Sequence, residues 1–106
     1  MGYIRHHAIV VTGWRGEHVE DARKKAIALG CCVTETISGR VNSYSSFMVG
    51  PDGSKEWWAD SNEGDKARAS LLEHLKADPY LDWAEIQYGD DSDLNCMLNA
   101  SGGMQP

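Results

Sequence analysis

The sequence predicts an α+β domain in which an antiparallel sheet carries two helices on one face. Short runs of β-branched and aromatic residues alternate with two stretches of helical hydrophobic periodicity. Clusters of glycine, proline and aspartate separate these runs where the chain has to turn. With 106 residues, of which 42% are hydrophobic, the chain is sized for a single domain with one core.

The first two elements are a strand over residues 3–12 and a helix over residues 17–29. The strand contains three consecutive β-branched residues, Ile9 to Val11, and ends at a glycine-rich turn over residues 13–16. The helix has one apolar stripe, made by Val19, Ala22, Ala26 and Leu29. Gly30 follows directly and is typical of a helix C-terminus.

A second strand and a β-hairpin follow in the chain. Residues 32–38 are rich in Thr, Val and Ile and predict a strand. Residues 44–49 predict the next strand, and the Gly-Pro-Asp-Gly sequence at 50–53 predicts a tight turn. Residues 56–59 can return as a short strand, so residues 44–59 are predicted to form a hairpin.

The last predicted elements are a helix over residues 64–77 and a strand over residues 81–88. The helix has an apolar stripe and ends before Pro79, and the strand alternates apolar with polar side chains. The composition then changes to Asp, Asn, Ser, Gly and Pro. We therefore predict a domain over residues 1–88 and a flexible acidic and polar tail over residues 89–106.

The predicted order of elements is that of a ferredoxin-like sandwich, β-α-β-β-α-β, with the hairpin arms counted flexibly. Both amphipathic helices then cover one face of the sheet. The opposite face needs another cover, which small open sheets often obtain by dimerising. We therefore expect a homo-oligomer.

Charge and composition exclude several classes of function. The 10 Lys and Arg against 16 Asp and Glu give a net charge of −6, which repels long DNA or RNA. The longest apolar run, Ala8 to Val11, is too short to span a membrane. Three cysteines, an odd count, favour reduced thiols in a cytoplasmic compartment. Zinc-type spacings of Cys and His are missing from the sequence, so we expect neither a metal nor a cofactor.

The turn before the first helix is the first candidate ligand site. Free backbone N–H groups and the helix dipole favour an anion at such a helix start. Trp14 offers a stacking face, Arg15 can bind a phosphate through two N–H groups, and Gly16 allows close approach of the backbone. The alternative interpretation is an ordinary turn with an exposed Arg and a core Trp.

A second group of candidates lies in the predicted hairpin. Tyr44, Ser45 and Ser46 carry hydroxyl groups that can line a polar pocket, although a solvated edge strand also explains them. Trp57 and Trp58 are adjacent on a predicted strand and point to opposite faces. One of them is therefore free to stack on a planar base, or else to pack in the core or at a subunit interface.

Two adjacent histidines are the candidates for acid–base chemistry. His6 and His7 point to opposite faces of the first predicted strand, so they cannot act as a pair. Either one would serve as general acid or base if the protein is an enzyme, and a structural role is the alternative. The chain lacks a Ser-His-Asp order and a repeated His-x-Ser/Thr pattern, so we favour a protein that is not an enzyme.

Two stretches of the chain resemble a group of short uncharacterised proteins of tailed bacteriophages. These are YIRHHAIVVT at residues 3–12 and PDGSKE at residues 51–56. The resemblance covers roughly residues 3–89 and implies expression in a bacterial host cytoplasm, with a role in host takeover or anti-defence. Some such phage proteins are oligomeric sponges for nucleotide immune signals, and others cleave those signals.

Three functional hypotheses follow. The leading one is a non-enzymatic oligomer that binds a small nucleotide-like anion, with the phosphate at residues 14–16 and the base or ribose at residues 44–46 and one Trp. The second is a phosphodiesterase or related hydrolase that uses His6 or His7. The third is an inhibitor that docks onto a host enzyme through a Trp-rich surface.

Overall fold

A computed structural model describes residues 5–53, 59–89 and 95–102. Those residues form an α+β fold with two helices and one five-stranded sheet, which confirms the predicted class. In chain order the elements are β1 (His6–Gly13), α1 (Gly16–Ala28), β2 (Ile37–Ser38), β3 (Ser45–Val49), α2 (Ala59–Lys76), β4 (Leu81–Tyr88) and β5 (Cys96–Ala100).

The strand order in the sheet is β2-β3-β1-β4-β5, and every neighbouring pair is antiparallel. Strands β1 and β2 are therefore parallel to each other with β3 between them, and α1 connects them. Strands β3 and β4 are likewise parallel with β1 between them, and α2 connects them. This arrangement makes β1 the central strand of the sheet.

The hydrophobic core lies on the sheet face formed by the odd-numbered residues of β1. Among them, Ile9, Val11 and Gly13 are each opposite a buried residue on β3 or β4, as in the pairs of Val11 with Phe47 and Val11 with Trp83. The predicted apolar stripe of α1 is confirmed in the same cluster, since Val19, Ala22 and Ala26 are fully buried. The remaining members are Ile9, Val49, Leu71, Leu72, Leu75 and Leu81.

Helix α1 ends as its sequence predicts. Gly30 has a φ of +88°, a left-handed conformation that glycine adopts without a Cβ clash. Its N–H donates to the Ile27 carbonyl at 3.0 Å, and the Cys31 N–H donates to the Ala26 carbonyl at 3.0 Å. These bonds satisfy carbonyl groups that the helix end would otherwise leave unpaired.

The predicted strand over residues 32–38 is much shorter in the structure. Regular pairing is limited to Ile37 and Ser38, with one isolated bridge between Val33 and Val49. The cause lies at Thr34, whose carbonyl accepts a hydrogen bond from Arg23 Nε at 2.8 Å rather than from β3. The Thr34 hydroxyl takes its place and accepts the Met48 N–H at 2.9 Å.

The prediction of a returning strand over residues 56–59 is wrong at Ala59, which is the first residue of α2. Residues 56–58 lie outside the described part of the chain. The helix begins before the predicted residue 64 because residues 60–63 supply the acidic and small polar types that suit a first helical turn.

The segment predicted as a tail contains a strand in the structure. Strand β5 pairs with β4, and Ser101 extends the pairing because its Oγ accepts the Trp83 N–H at 2.8 Å and its N–H donates to the Trp83 carbonyl at 2.9 Å. The Asn99 amide also donates to Glu85 Oε1 at 2.7 Å. Without β5, the backbone of β4 would be an unpaired sheet edge.

Neither helix, over the described residues, is long and apolar enough to cross a membrane.

Gly13 occupies a crowded position where β1 meets α1 and the segment before β4. An added Cβ would lie 3.0 Å from Leu81 Cδ2, 3.1 Å from Val19 Cγ2 and 3.2 Å from the Tyr80 carbonyl oxygen. We expect Gly13→Ala to lower the free energy of unfolding by about 1–3 kcal/mol, the usual range for overpacking. Urea denaturation followed by circular dichroism measures it.

The matched control is Gly16→Ala, three residues further along the chain. A Cβ at Gly16 has no neighbour within 4 Å, and the residue is already helical. We expect this variant to be neutral or up to about 1 kcal/mol more stable, since alanine favours the helix. Equal destabilisation of the two variants would contradict the packing described for Gly13.

Candidate functional site

Arg15 lies at the corner where β1 ends and α1 begins. Its guanidinium carbon is 4.8 Å from the centre of the Trp14 ring and 4.7 Å from the centre of the Tyr80 ring. The two rings meet edge to face with centres 6.4 Å apart. Such contacts hold a guanidinium by cation–π attraction and leave its in-plane N–H groups for other partners.

The donors of Arg15 are only partly used. One terminal nitrogen lies 3.8 Å from Glu17 Oε1, and the side chain is 41% exposed. The Nε atom is buried and has no hydrogen-bond partner in the described structure. The side chain is thus held in place by aromatic rings while part of its hydrogen-bonding capacity stays available.

The backbone at the start of α1 also suits an anion. Arg15 is the N-cap residue, and its side chain makes no capping hydrogen bond. Its carbonyl accepts the N–H groups of His18 and Val19, which leaves the earlier N–H groups of Gly16 and Glu17 as the free donors of the first turn. The space beside Gly16 is open, so a ligand can reach them.

A hydrogen-bonded histidine–carboxylate pair lies next to Arg15. His18 Nδ1 donates to Asp78 Oδ2 at 2.8 Å, because a carboxylate can only accept. Asp78 Oδ1 also accepts the Tyr80 N–H at 2.9 Å. The His18 ring packs on Tyr80 with ring centres 4.7 Å apart. Tyr80 therefore contacts both Arg15 and His18.

The environment of Asp78 changes its acidity. Burial alone would raise the pKa of Asp78, but the hydrogen bonds from His18 and from the Tyr80 N–H bring that pKa below its usual value. The positive charges of His18 and His74, when protonated, act in the same direction. Asp78 is therefore a carboxylate that accepts hydrogen bonds and holds the His18 ring.

The structure brings part of the predicted ligand site together. Ser45 is opposite Gly13, so Tyr44 and Ser45 lie at the same end of the sheet as Trp14 and Arg15. Ser46 faces the other side, where its hydroxyl is 2.9 Å from Thr12 Oγ1. Trp57 and Trp58 lie outside the described residues.

The two predicted acid–base candidates lie at the opposite end of β1. His6 is opposite Tyr88, whereas Gly13 is opposite Leu81. The separation along an extended strand of that length is about 23 Å. His6 stacks on Tyr88 at 5.2 Å between ring centres, and its Nδ1 is buried without a partner among the described residues. Neither His6 nor His7 therefore shares a site with Arg15.

Sequence reasoning did not find His18, Asp78 or Tyr80 as site residues. His18 and Asp78 are 60 residues apart, and Asp78 precedes a proline that we interpreted only as the end of a helix. The available signal was the pairing of the first and last predicted strands. That pairing brings the residue after one strand close to the residue before the other.

A cavity of about 260 Å³ lies between the end of α1 and α2, away from Arg15. It is lined in part by Cys31, Cys32 and Arg68. Burial raises the pKa of the Cys31 thiol, with Arg68 partly opposing the shift, so this thiol is not activated as a thiolate nucleophile. Arg68, 8% exposed in its side chain, is already paired with Asp65. Within the described ranges, no group of three or more His, Cys, Asp or Glu side chains is arranged to hold a metal ion.

Comparison with protein-family models, with curated proteins and with solved structures gives no match for this chain. The functional proposal therefore rests on the side chains and backbone N–H groups around Arg15.

The lowered pKa of Asp78 predicts a specific acid dependence of stability. A carboxyl whose folded-state pKa is lowered stabilises the fold above its unfolded-state pKa, near 3.9, and loses that contribution as the pH falls through the folded-state value. From about pH 5 to pH 3, the unfolding free energy of the wild type should fall more steeply than that of Asp78→Asn. Urea denaturation at each pH measures this.

Glu35→Gln is the control for this experiment, because the Glu35 side chain is 93% exposed and contacts Arg23 rather than His18. We expect its unfolding free energy to follow the wild-type pH dependence. If Asp78→Asn also followed the wild type, the hydrogen bond to His18 would contribute nothing to folding.

Proposed function

We propose that this protein binds a small nucleotide-like anion at the start of α1. The observation that carries the proposal is the guanidinium of Arg15, held between the rings of Trp14 and Tyr80 beside the free first-turn N–H groups of α1. An anionic phosphate suits these donors. A planar base suits the exposed Trp14 ring, and Tyr44 and Ser45 offer hydrogen bonds at the same end of the sheet.

The distribution of charge favours a small ligand of low charge. The net charge of −6 and the nearby carboxylates of Glu17 and Asp78 oppose the approach of a polyphosphate. A single phosphodiester carries one negative charge and needs only the local donors around Arg15. A nucleotide with one ionised phosphodiester group is therefore the class that fits best.

The sequence resemblance supplies the biological context of the proposal. The protein acts in a bacterial host cytoplasm as a phage anti-defence factor, and it retains a nucleotide immune signal as a sponge does. The fold proposed for this role is a ferredoxin-like sandwich with both helices on one face and β5 added at the edge. Support comes from the strand order β2-β3-β1-β4 and from the single core cluster that both helices share.

Arg15→Ala should weaken binding of the nucleotide by about 1.5–3 kcal/mol, the range for a charge-assisted hydrogen bond. Arg15→Lys should also weaken it, since an ammonium group cannot reproduce the planar fork or its stacking. Isothermal titration calorimetry against inorganic pyrophosphate and a panel of linear and cyclic nucleotides measures both effects.

Lys66→Ala is the matched control for loss of one positive charge, because Lys66 is exposed on α2 and pairs with Glu63. It should leave affinity within about twofold of the wild type, since screened surface charges contribute little. If the wild type binds no member of the panel, the nucleotide proposal fails. Docking onto a host protein then becomes the better hypothesis.

We also propose that a second copy of the chain covers the open face of the sheet. This face is formed by the even-numbered residues of β1 and their neighbours, and Val10 at its centre is 39% exposed. Its apolar members include Val10, Met48, Ala84, Ile86 and Met97. The described strand pairings place one carboxylate, Asp82, and one histidine, His6, on it and no Lys or Arg. An apolar, nearly uncharged sheet face is typical of a subunit interface.

Val10→Glu should convert the oligomer to monomer, because it places a charge at the centre of the buried interface. The wild type should have at least the dimer mass by light scattering at about 10 μM, since standard interfaces give tighter affinities than that. Ile27→Glu changes an exposed apolar residue of α1 and should leave the oligomer intact. A wild type with the monomer mass would disprove the proposed interface.

A further inference from the structure

We propose that His18, oriented by Asp78, is a catalytic acid–base residue that hydrolyses a phosphodiester bound by Arg15. This inference rests on the proposed nucleotide site and adds an activity to it. The sequence analysis assigned the acid–base residue of a hydrolase to His6 or His7, and this proposal assigns it to His18 at the other end of β1.

The first argument is the orientation of the His18 ring. Because Nδ1 donates to Asp78, the neutral ring carries its free lone pair on Nε2. The bond to Asp78 uses Nδ1 and not Nε2, and the His18 side chain is 28% exposed. A carboxylate that holds the ring in one tautomer and stabilises the imidazolium form is the arrangement that general-base histidines require.

The second argument is the distance between His18 and the anion-binding group. The Arg15 guanidinium carbon and the His18 ring centre each lie 4.7 Å from the centre of the Tyr80 ring. The two groups are therefore no more than about 9.4 Å apart. A phosphate bound to the guanidinium and a water molecule bound to the imidazole fit within that span.

The third argument is the open space beside the histidine. A cavity of about 380 Å³ is lined by His18, Asp21, His74, Asp78 and Tyr80, together with Ala77 and Pro79. That volume exceeds the roughly 30 Å³ of a water molecule many times over and leaves room for part of a nucleotide.

The reaction needs only water and the phosphodiester. The water oxygen forms a bond to phosphorus while its proton passes to His18 Nε2. The bond between phosphorus and the leaving oxygen breaks, that oxygen takes a proton from solvent water, and His18 releases its own proton to solvent. One water is consumed, one P–O bond is exchanged for another, and no oxidation or reduction occurs. Arg15 binds the phosphate oxygens on which charge develops.

The charged and titratable groups around His18 agree with a substrate of one negative charge. They are Arg15 just before α1, Glu17 and Asp21 on α1, His74 on α2, and Asp78 and Tyr80 before β4. Three carboxylates in this set oppose a phosphate dianion. A phosphodiester monoanion meets less repulsion, so phosphodiesters are favoured over terminal phosphates.

The test measures hydrolysis of bis(4-nitrophenyl) phosphate and of linear and cyclic dinucleotides, with EDTA present to remove adventitious metal. The wild type should release nitrophenolate, or cleaved nucleotide by chromatography, above the buffer rate. The wild-type rate should depend on pH, and His18→Gln should remove that dependence because the acid–base group is lost. His18→Gln should lower kcat by about 10²–10⁴.

Asp78 is a positioning residue, so its variant needs a separate readout. Asp78→Asn should lower kcat with little change in KM and should alter the pH profile, because the amide no longer fixes the ring tautomer. Glu35→Gln, whose side chain is 93% exposed and pairs with Arg23, should retain the wild-type rate and profile. Circular dichroism checks that each variant is folded.

The outcomes separate the two proposals. If nucleotides bind in an Arg15-dependent manner but none is cleaved, the catalytic inference is wrong and the binding proposal stands. If nothing binds and nothing is cleaved, both are wrong. If His7→Gln abolishes turnover and His18→Gln does not, the catalytic residue lies at the other end of β1 and the assignment to His18 is overturned.

Discussion

The pairing of β1 with β4 is the constraint on which the rest of the molecule depends. It runs from His6 opposite Tyr88 to Gly13 opposite Leu81. The residues that follow β1 and the residues that precede β4 therefore meet at one end of the sheet. Arg15 reaches Tyr80 for this reason, and α1 begins there and carries His18 to Asp78. A slip of one residue would turn every core side chain of β4 toward the open face and separate these contacts.

The helices and strands whose buried apolar residues recur at a regular spacing could be predicted from the sequence, and the other elements could not. The alternation of apolar and polar side chains over residues 81–88 predicted β4 with its observed bounds. The apolar stripe of α1 predicted that helix to within one residue at each end. The predicted and observed elements differ where side chains take part in the strand pairing. Thr34 interrupts the strand before Ile37, and Ser101 and Asn99 tie β5 to β4. Side-chain hydrogen bonds of this kind produce no regular spacing of apolar residues in the sequence.

The candidate site likewise contains residues that the sequence predicted and residues that it did not. Trp14, Arg15 and Gly16 are consecutive, and the chemistry of a strand–turn–helix junction can be inferred from three such residues. The contact of His18 with Asp78 joins positions 60 residues apart and depends on the exact register of two strands. The sequence offered two adjacent histidines as a more visible candidate. The same central strand holds His6 at its opposite end, far from the donors of Arg15.

The distance in sequence between β1 and β4 also governs when the corner around Arg15 forms. Closing the loop between Gly13 and Leu81 costs chain entropy before any of the pairing is gained, and pairings of this kind slow folding. During synthesis, β1 and α1 leave the ribosome long before β4. A nascent chain that ends before residue 78 has Arg15 without the Tyr80 ring and His18 without its carboxylate. The corner is thus completed only when nearly the whole chain has been made, and truncated products lack it.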